Sequence, residues 1–123
     1  MEKRICPTRP VLSRIGERWS MAVCSQLARG VTQFGDLRTA LRGVSAKVLS
    51  ETLVRLERDG LIQREVIDGR PPSVTYRLTS LGEGLLRAVQ PIVIWSAKNA
   101  PLINAAQRSY DARSALQADH PAA

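Results

Sequence analysis

Between Gly43 and Gly60 the apolar residues Val48, Leu49, Leu53 and Leu56, followed by Leu61, recur at three- and four-residue spacing among polar, mostly basic neighbours. That stripe predicts an amphipathic helix over about 45–59. Ser45 is placed to cap its first turn with a hydroxyl acceptor, and Gly60 can take the left-handed conformation that ends it. Ala46, Lys47, Ser50, Glu51 and Arg55 then face outward. A helix face of small and charged residues has the steric profile to enter a DNA major groove, which reads as a recognition helix.

The flanking patterns fit that reading. After Pro7 and Pro10, the stripe Val11, Leu12 and Ile15 predicts a short helix closed by Gly16. Glu17–Arg29 is apolar on more than one side through Trp19, Met21, Ala22, Val23 and Leu27, as expected of a scaffold helix packed on two faces and stopped by Gly30. Thr32 is expected to cap a helix over Gln33–Leu41, with Phe34, Leu37, Ala40 and Leu41 inward and Asp36, Arg38 and Arg42 outside. The turn Arg42-Gly43-Val44 then completes a helix-turn-helix.

Beyond Gly60 the period changes. Leu61–Ile67 and Ser73–Leu78 are β-prone runs separated by Asp68-Gly69-Arg70-Pro71-Pro72, which predicts a hairpin with a basic, proline-stiffened tip. Placed directly after a recognition helix, the hairpin reads as a wing. Thr79 is expected to cap a long helix from Ser80 through Tyr110, kinked or broken at Pro91 and Pro101. Its apolar surplus points to a twofold dimer, or alternatively to packing on its own domain. The chain is therefore expected to be mainly α with a small β-hairpin, a winged helix-turn-helix with a long C-terminal dimerisation helix. One domain spans 1–113, with the wing over 61–78, dimerisation helices over 80–113 joined by the N-terminal segment, and a disordered tail over 114–123.

Composition narrows the function. Of the formal charge of +7, the segment to Ser80 holds 14 Lys/Arg against 8 Asp/Glu, which favours a polyanionic partner. Two cysteines, Cys6 and Cys24, are too few for a disulfide scaffold or zinc site, and the N-terminus lacks the apolar run of a signal peptide. The uncharged stretch Ala88–Ala97 is shorter than the roughly 20 residues that span a bilayer, so a cytoplasmic protein without a membrane role is expected. No catalytic constellation forms around the one histidine, His120, and there is no phosphate-binding glycine loop or metal-ligand cluster. No enzyme, cofactor or metal is expected. An aromatic content of 4% leaves few stacking surfaces for single-stranded RNA.

Lys47 can reach guanine O6 and N7 and is the candidate for sequence discrimination, whereas Arg38, Arg42, Arg55 and Arg70 are candidates for phosphate contacts. Each has the plainer alternative of a solvated charge. Cys6 lies between Arg4 and Arg9, where positive neighbours favour the reactive thiolate; the alternative is a small apolar plug. Cys24, beside Val23 and on the helix of Trp19 and Leu27, reads as a buried inert thiol.

Cys6-Pro7, Gly16-Glu17-Arg18-Trp19-Ser20, Gln33-Phe34-Gly35-Asp36-Leu37, Ser45-Ala46-Lys47-Val48-Leu49-Ser50, Leu56-Glu57-Arg58-Asp59-Gly60-Leu61, Pro71-Pro72-Ser73-Val74-Thr75-Tyr76, Leu78-Thr79-Ser80-Leu81-Gly82 and Trp95 together resemble the HxlR-type family of bacterial transcriptional regulators. The resemblance covers nearly everything but the tail. It implies a homodimer, joined through its terminal helices, that binds an inverted-repeat operator in double-stranded DNA and represses or activates nearby genes. It places Ser45, Lys47, Ser50 and Arg55 on the groove-facing helix and Arg70 on the wing. It also implies, for several members, sensing of an oxidant or electrophile through a cysteine at the position of Cys6. Two rival readings stay open: control by a non-covalent small-molecule effector in a pocket near Trp95 at the dimer interface, and non-specific architectural DNA binding. The family's usual Gly-Lys-Trp is Glu17-Arg18-Trp19 here, and Thr75 stands where an acidic residue is frequent.

Overall fold

The computed structural model describes residues 9–119; Cys6 and His120 lie outside the described residues. In order, the elements are α1 (Arg9–Gly16), α2 (Ser20–Ala28), α3 (Phe34–Ala40), α4 (Ala46–Arg58), β1 (Ile62–Ile67), β2 (Ser73–Leu78) and α5 (Ser80–Asp119). They divide into two compact units, the first running through Val89 and the second beginning at Gln90.

The first unit is built on leucine and valine stripes that converge from every element between α2 and β2. Val23, Cys24 and Leu27 of α2 meet Leu37 of α3, Leu41 and Val44 of the turn, and Leu49, Leu53 and Leu56 of α4. Leu61, Ile62 and Leu78 close this core from the base of the hairpin. Leu37, Leu49 and Leu56 are completely buried, so each removes its whole apolar side chain from water.

The ends of α4 are set by the residues expected to set them. Ser45 is extended and its hydroxyl accepts the Val48 N–H at 3.1 Å. At the other end Gly60 has φ +76°, its N–H donates to the Glu57 carbonyl, and the Leu61 N–H donates to the Leu56 carbonyl, both at 3.0 Å. This paired closure needs a residue at positive φ, hence glycine. Inside the helix the buried Thr52 hydroxyl donates back to the Val48 carbonyl at 2.8 Å, which removes the cost of a buried polar group.

α2 and α3 start later than the sequence pattern predicts. α2 begins at Ser20 rather than Glu17, whose side chain lies in the preceding turn, ion-paired with Arg14 and Arg55 and accepting the Ser20 hydroxyl. Thr32 does not cap α3. The N-cap is Gln33, without a side-chain bond, and the Thr32 carbonyl instead accepts the Tyr76 N–H of β2 at 2.8 Å. The backbone before α3 thus anchors the hairpin.

β1 and β2 pair antiparallel in register from Ile62 opposite Leu78 to Ile67 opposite Ser73, leaving Asp68–Pro72 as the tip. One hydroxyl joins three elements at the hairpin's base. Thr79 Oγ1 lies 2.6 Å from the Gly60 carbonyl and 3.1 Å from that of Leu61, and it accepts the Gly82 N–H at 3.1 Å to cap α5. Gly82 itself is packed so closely on the Leu61 carbonyl and Leu78 that no side chain fits there.

The second unit is α5 from Gln90 onward, in which Ile92, Val93, Ile94, Trp95, Leu102, Ile103, Tyr110 and Leu116 are exposed. Two expectations change. Neither Pro91 nor Pro101 breaks the helix, since each deletes only one backbone donor. The helix also continues to Asp119, so 114–119 is helical where a disordered tail is expected from composition; Ser114, Ala115, Leu116, Gln117 and Ala118 contain no helix breaker. Among the described residues no helix is long and apolar enough to cross a membrane.

Candidate nucleic-acid interface

Burial of Leu49, Thr52, Leu53 and Leu56 fixes the rotation of α4 about its own axis. Residues advance about 100° each, so the line opposite that buried face is occupied by Lys47, Glu51, Val54 and Arg58. All four are exposed. Ser50 is exposed beside them, and Ser45 is exposed at the helix start, where its hydroxyl is committed to the cap. α4 therefore presents one polar face with a lysine near its N-terminal end and an arginine at its C-terminal end.

Arg55 lies off this line. Its Nε is buried and 3.5 Å from Glu17 Oε2, and its Nη2 donates to the Thr52 hydroxyl at 3.4 Å. The side chain that sequence spacing offers to a phosphate is thus held along the flank of α4, towards α2. Arg58 and Val54, one turn or less away, occupy the outward positions that spacing alone does not distinguish from it.

Arg55 belongs to a charge cluster that joins three elements. Arg14 of α1 donates through Nε to Asp59 at the C-cap of α4 and through Nη1 to Glu17 at 2.7 Å. Glu17 accepts from the Ser20 hydroxyl and faces Arg55. Hydrogen bonding to Asp59, opposed in part by desolvation and aided by the Asp59 and Glu17 charges, holds the Arg14 guanidinium above its ordinary pKa. Partial burial pushes the Glu17 carboxyl up, but the Ser20 hydroxyl and the charges of Arg14 and Arg55 outweigh it and hold the group below 4.5. The N-terminal helix is in this way pinned to the end of the helix that would read DNA. Sequence spacing could not show this, because Arg14 and Asp59 are 45 residues apart.

The remaining basic candidates are exposed: Arg38 in the last turn of α3, Arg42 in the turn before α4, and Arg70 at the hairpin tip. Arg64 on β1 is exposed as well and went unremarked in the sequence pattern. Arg77 is engaged across the hairpin, with Gln63 at 2.8 Å and Glu65 at 3.0 Å. Trp95, the candidate effector contact, is 59% exposed in the second unit. A mainly apolar cavity of about 400 Å³ lies instead in the first unit, walled by Leu61, Leu81 and Leu85 with the Arg14–Asp59 pair at its edge. Cys24 is buried and free, and desolvation pushes its thiol up to about 11, which keeps it protonated and unreactive. Among the described residues no cluster of His, Cys, Asp or Glu could hold a metal.

The helix pair, the hairpin that follows it and the helix after that are matched as a unit by the profile of HxlR-like helix-turn-helix proteins, over residues 14–104. The chain belongs to this family. Among its relatives is the HTH-type transcriptional regulator YtfH of Escherichia coli, 38% identical over 96 residues, or 78% of this chain and 76% of the relative. The solved structure of the regulator ytfH from Salmonella typhimurium superposes with a TM-score of 0.73 at 36% identity, covering 86% of this chain and 95% of that one. The reduced form of the redox regulator HypR superposes with a TM-score of 0.74 at 28% identity, covering 81% and 99%. This HxlR-type protein is a transcriptional regulator with a winged helix-turn-helix fold.

The charge cluster makes a testable link between pH and stability. Because the Glu17 carboxyl is held below 4.5 in the folded chain, its stabilisation is present above pH 4.5 and is lost as pH falls through the folded value. Glu17→Gln should destabilise the protein by about 1–2 kcal/mol at pH 7, and the difference from the native sequence should shrink below pH 4. Urea unfolding at both pH values measures it.

Proposed function

We propose that this HxlR-type regulator is a cytoplasmic repressor that binds an inverted-repeat operator as a homodimer. The observation that carries this reading is the outward line of α4, with Lys47 and Ser50 exposed beside a hairpin that carries Arg70 at its tip. Lys47 makes the base contact, a bidentate approach to guanine O6 and N7, while Arg38, Arg42 and Arg70 hold phosphates and set the register. The exposed apolar residues of the second unit, Ile92, Val93 and Trp95 among them, form the contact between the two copies. A twofold dimer then places two α4 helices about 34–36 Å apart, on half-sites roughly ten base pairs apart.

Binding isotherms on operator and random duplexes separate these roles. Lys47→Ala should lose the preference for operator over random DNA, whereas Arg70→Ala should weaken both by a similar factor. Identical behaviour of the two variants would contradict the assignment.

The signal is assigned to Cys6, flanked by Arg4 and Arg9. Its support is the chemistry of those neighbours, the likeness to the redox regulator HypR, and the inertness of the other cysteine, Cys24. Oxidation or electrophile attachment at Cys6 would act on the segment that leads into α1, which Arg14 ties to the end of α4. Cys6→Ser should leave operator affinity intact and abolish its response to diamide, while Cys24→Ser should keep the response. A Cys6→Ser protein that still responds would move the switch to Cys24, whereas a native protein indifferent to diamide would shift control to a non-covalent effector, for which the cavity at Leu61, Leu81 and Leu85 offers the space.

A further inference from the structure

Val54 is 63% exposed at the centre of the outward face of α4, four residues before Arg58 and seven after Lys47. It takes no part in the hydrophobic core and is absent from the apolar residues packed against it. With Ser50, Glu51 and Arg55 it lines a shallow groove of about 340 Å³ whose walls are almost wholly apolar. Single exposed apolar residues are common on protein surfaces. This one is set apart by its place: the helix line that carries it is otherwise Lys47, Glu51 and Arg58, and that line is the one the core's geometry turns outward.

In the major groove of B-DNA the one apolar group on a base edge is the C5-methyl of thymine. A β-branched side chain offers two methyl groups on a stiff stem, so it can cover that methyl with little loss of rotamer freedom. Seven residues of α-helix advance about 10 Å, close to three base steps of about 3.4 Å. Lys47 and Val54 therefore reach different base pairs of one half-site. Resting on the reading of α4 as the groove-entering helix, we propose that Val54 is a specificity-determining residue that requires a thymine in each half-site by packing on its C5-methyl group.

The test uses duplexes selected by the native protein from a randomised pool. Each thymine is replaced in turn, symmetrically in both half-sites, by deoxyuridine, which lacks only the methyl group. At one thymine position the replacement should weaken native binding by about fourfold per half-site, as expected for one buried methyl, and so by roughly tenfold or more for the pair. Val54→Ser, which carries no methyl group, should bind the thymine and deoxyuridine duplexes equally while keeping the preference that depends on Lys47 and the native melting temperature, and Val54→Ala should show a reduced difference. Deoxyuridine tolerated at every position by the native protein, or an undiminished penalty in Val54→Ala, overturns the proposal. A native protein that enriches no sequence from the pool removes the operator reading itself, and the role of Val54 with it.

Discussion

Burial of the Leu49, Leu53 and Leu56 side chains against α2, α3 and the hairpin base is the interaction on which the rest of the molecule depends. Those three leucines set the depth of α4 and also its rotation. A turn of the helix by one residue would move about 100° of surface, bring Glu57 in one sense or Arg55 in the other towards the core, and expose a leucine. Each wrong orientation costs both the lost apolar burial and the desolvation of a charge. Presentation of one polar line to a partner is therefore a consequence of the core and needs no contact with that partner to be maintained.

The second constraint is electrostatic. Arg14, Glu17, Arg55 and Asp59 draw α1, the start of α2 and the end of α4 into one network, with the Ser20 hydroxyl donating to Glu17 as well. The consequence is mechanical. Displacement of α1 must either carry the end of α4 with it or break partly buried ion pairs, whose orphaned partners are costly to leave unpaired. A movement of α1 is thereby passed directly to the helix that faces outward.

Much of this was legible in the sequence where information is local. The Val48, Leu49, Leu53 and Leu56 spacing placed α4 to within a residue, and Ser45, Gly60 and Thr79 each perform the capping role that their side-chain chemistry predicts. The hairpin strands were likewise marked by β-branched runs and turn residues. What was not legible depends on long-range contacts. Thr32 has the chemistry of a cap, but its backbone is taken by Tyr76, 44 residues away in the chain. Arg55 has the spacing of an outward residue but borders the buried face, where Glu17 captures it, while Val54 and Arg58 stand outward in its stead. The prolines and the alanine-rich end of α5 misled for a different reason: local propensity is a weak prior, and the helix persists through both.

The claim that α4 enters the major groove is tested most directly by chemical protection of a selected duplex with dimethyl sulfate, which methylates guanine N7 in the major groove and adenine N3 in the minor groove. The account predicts guanine N7 protection in two patches about one helical turn apart. Protection of adenine N3 alone, or of guanines along the whole duplex without two centres, would contradict it.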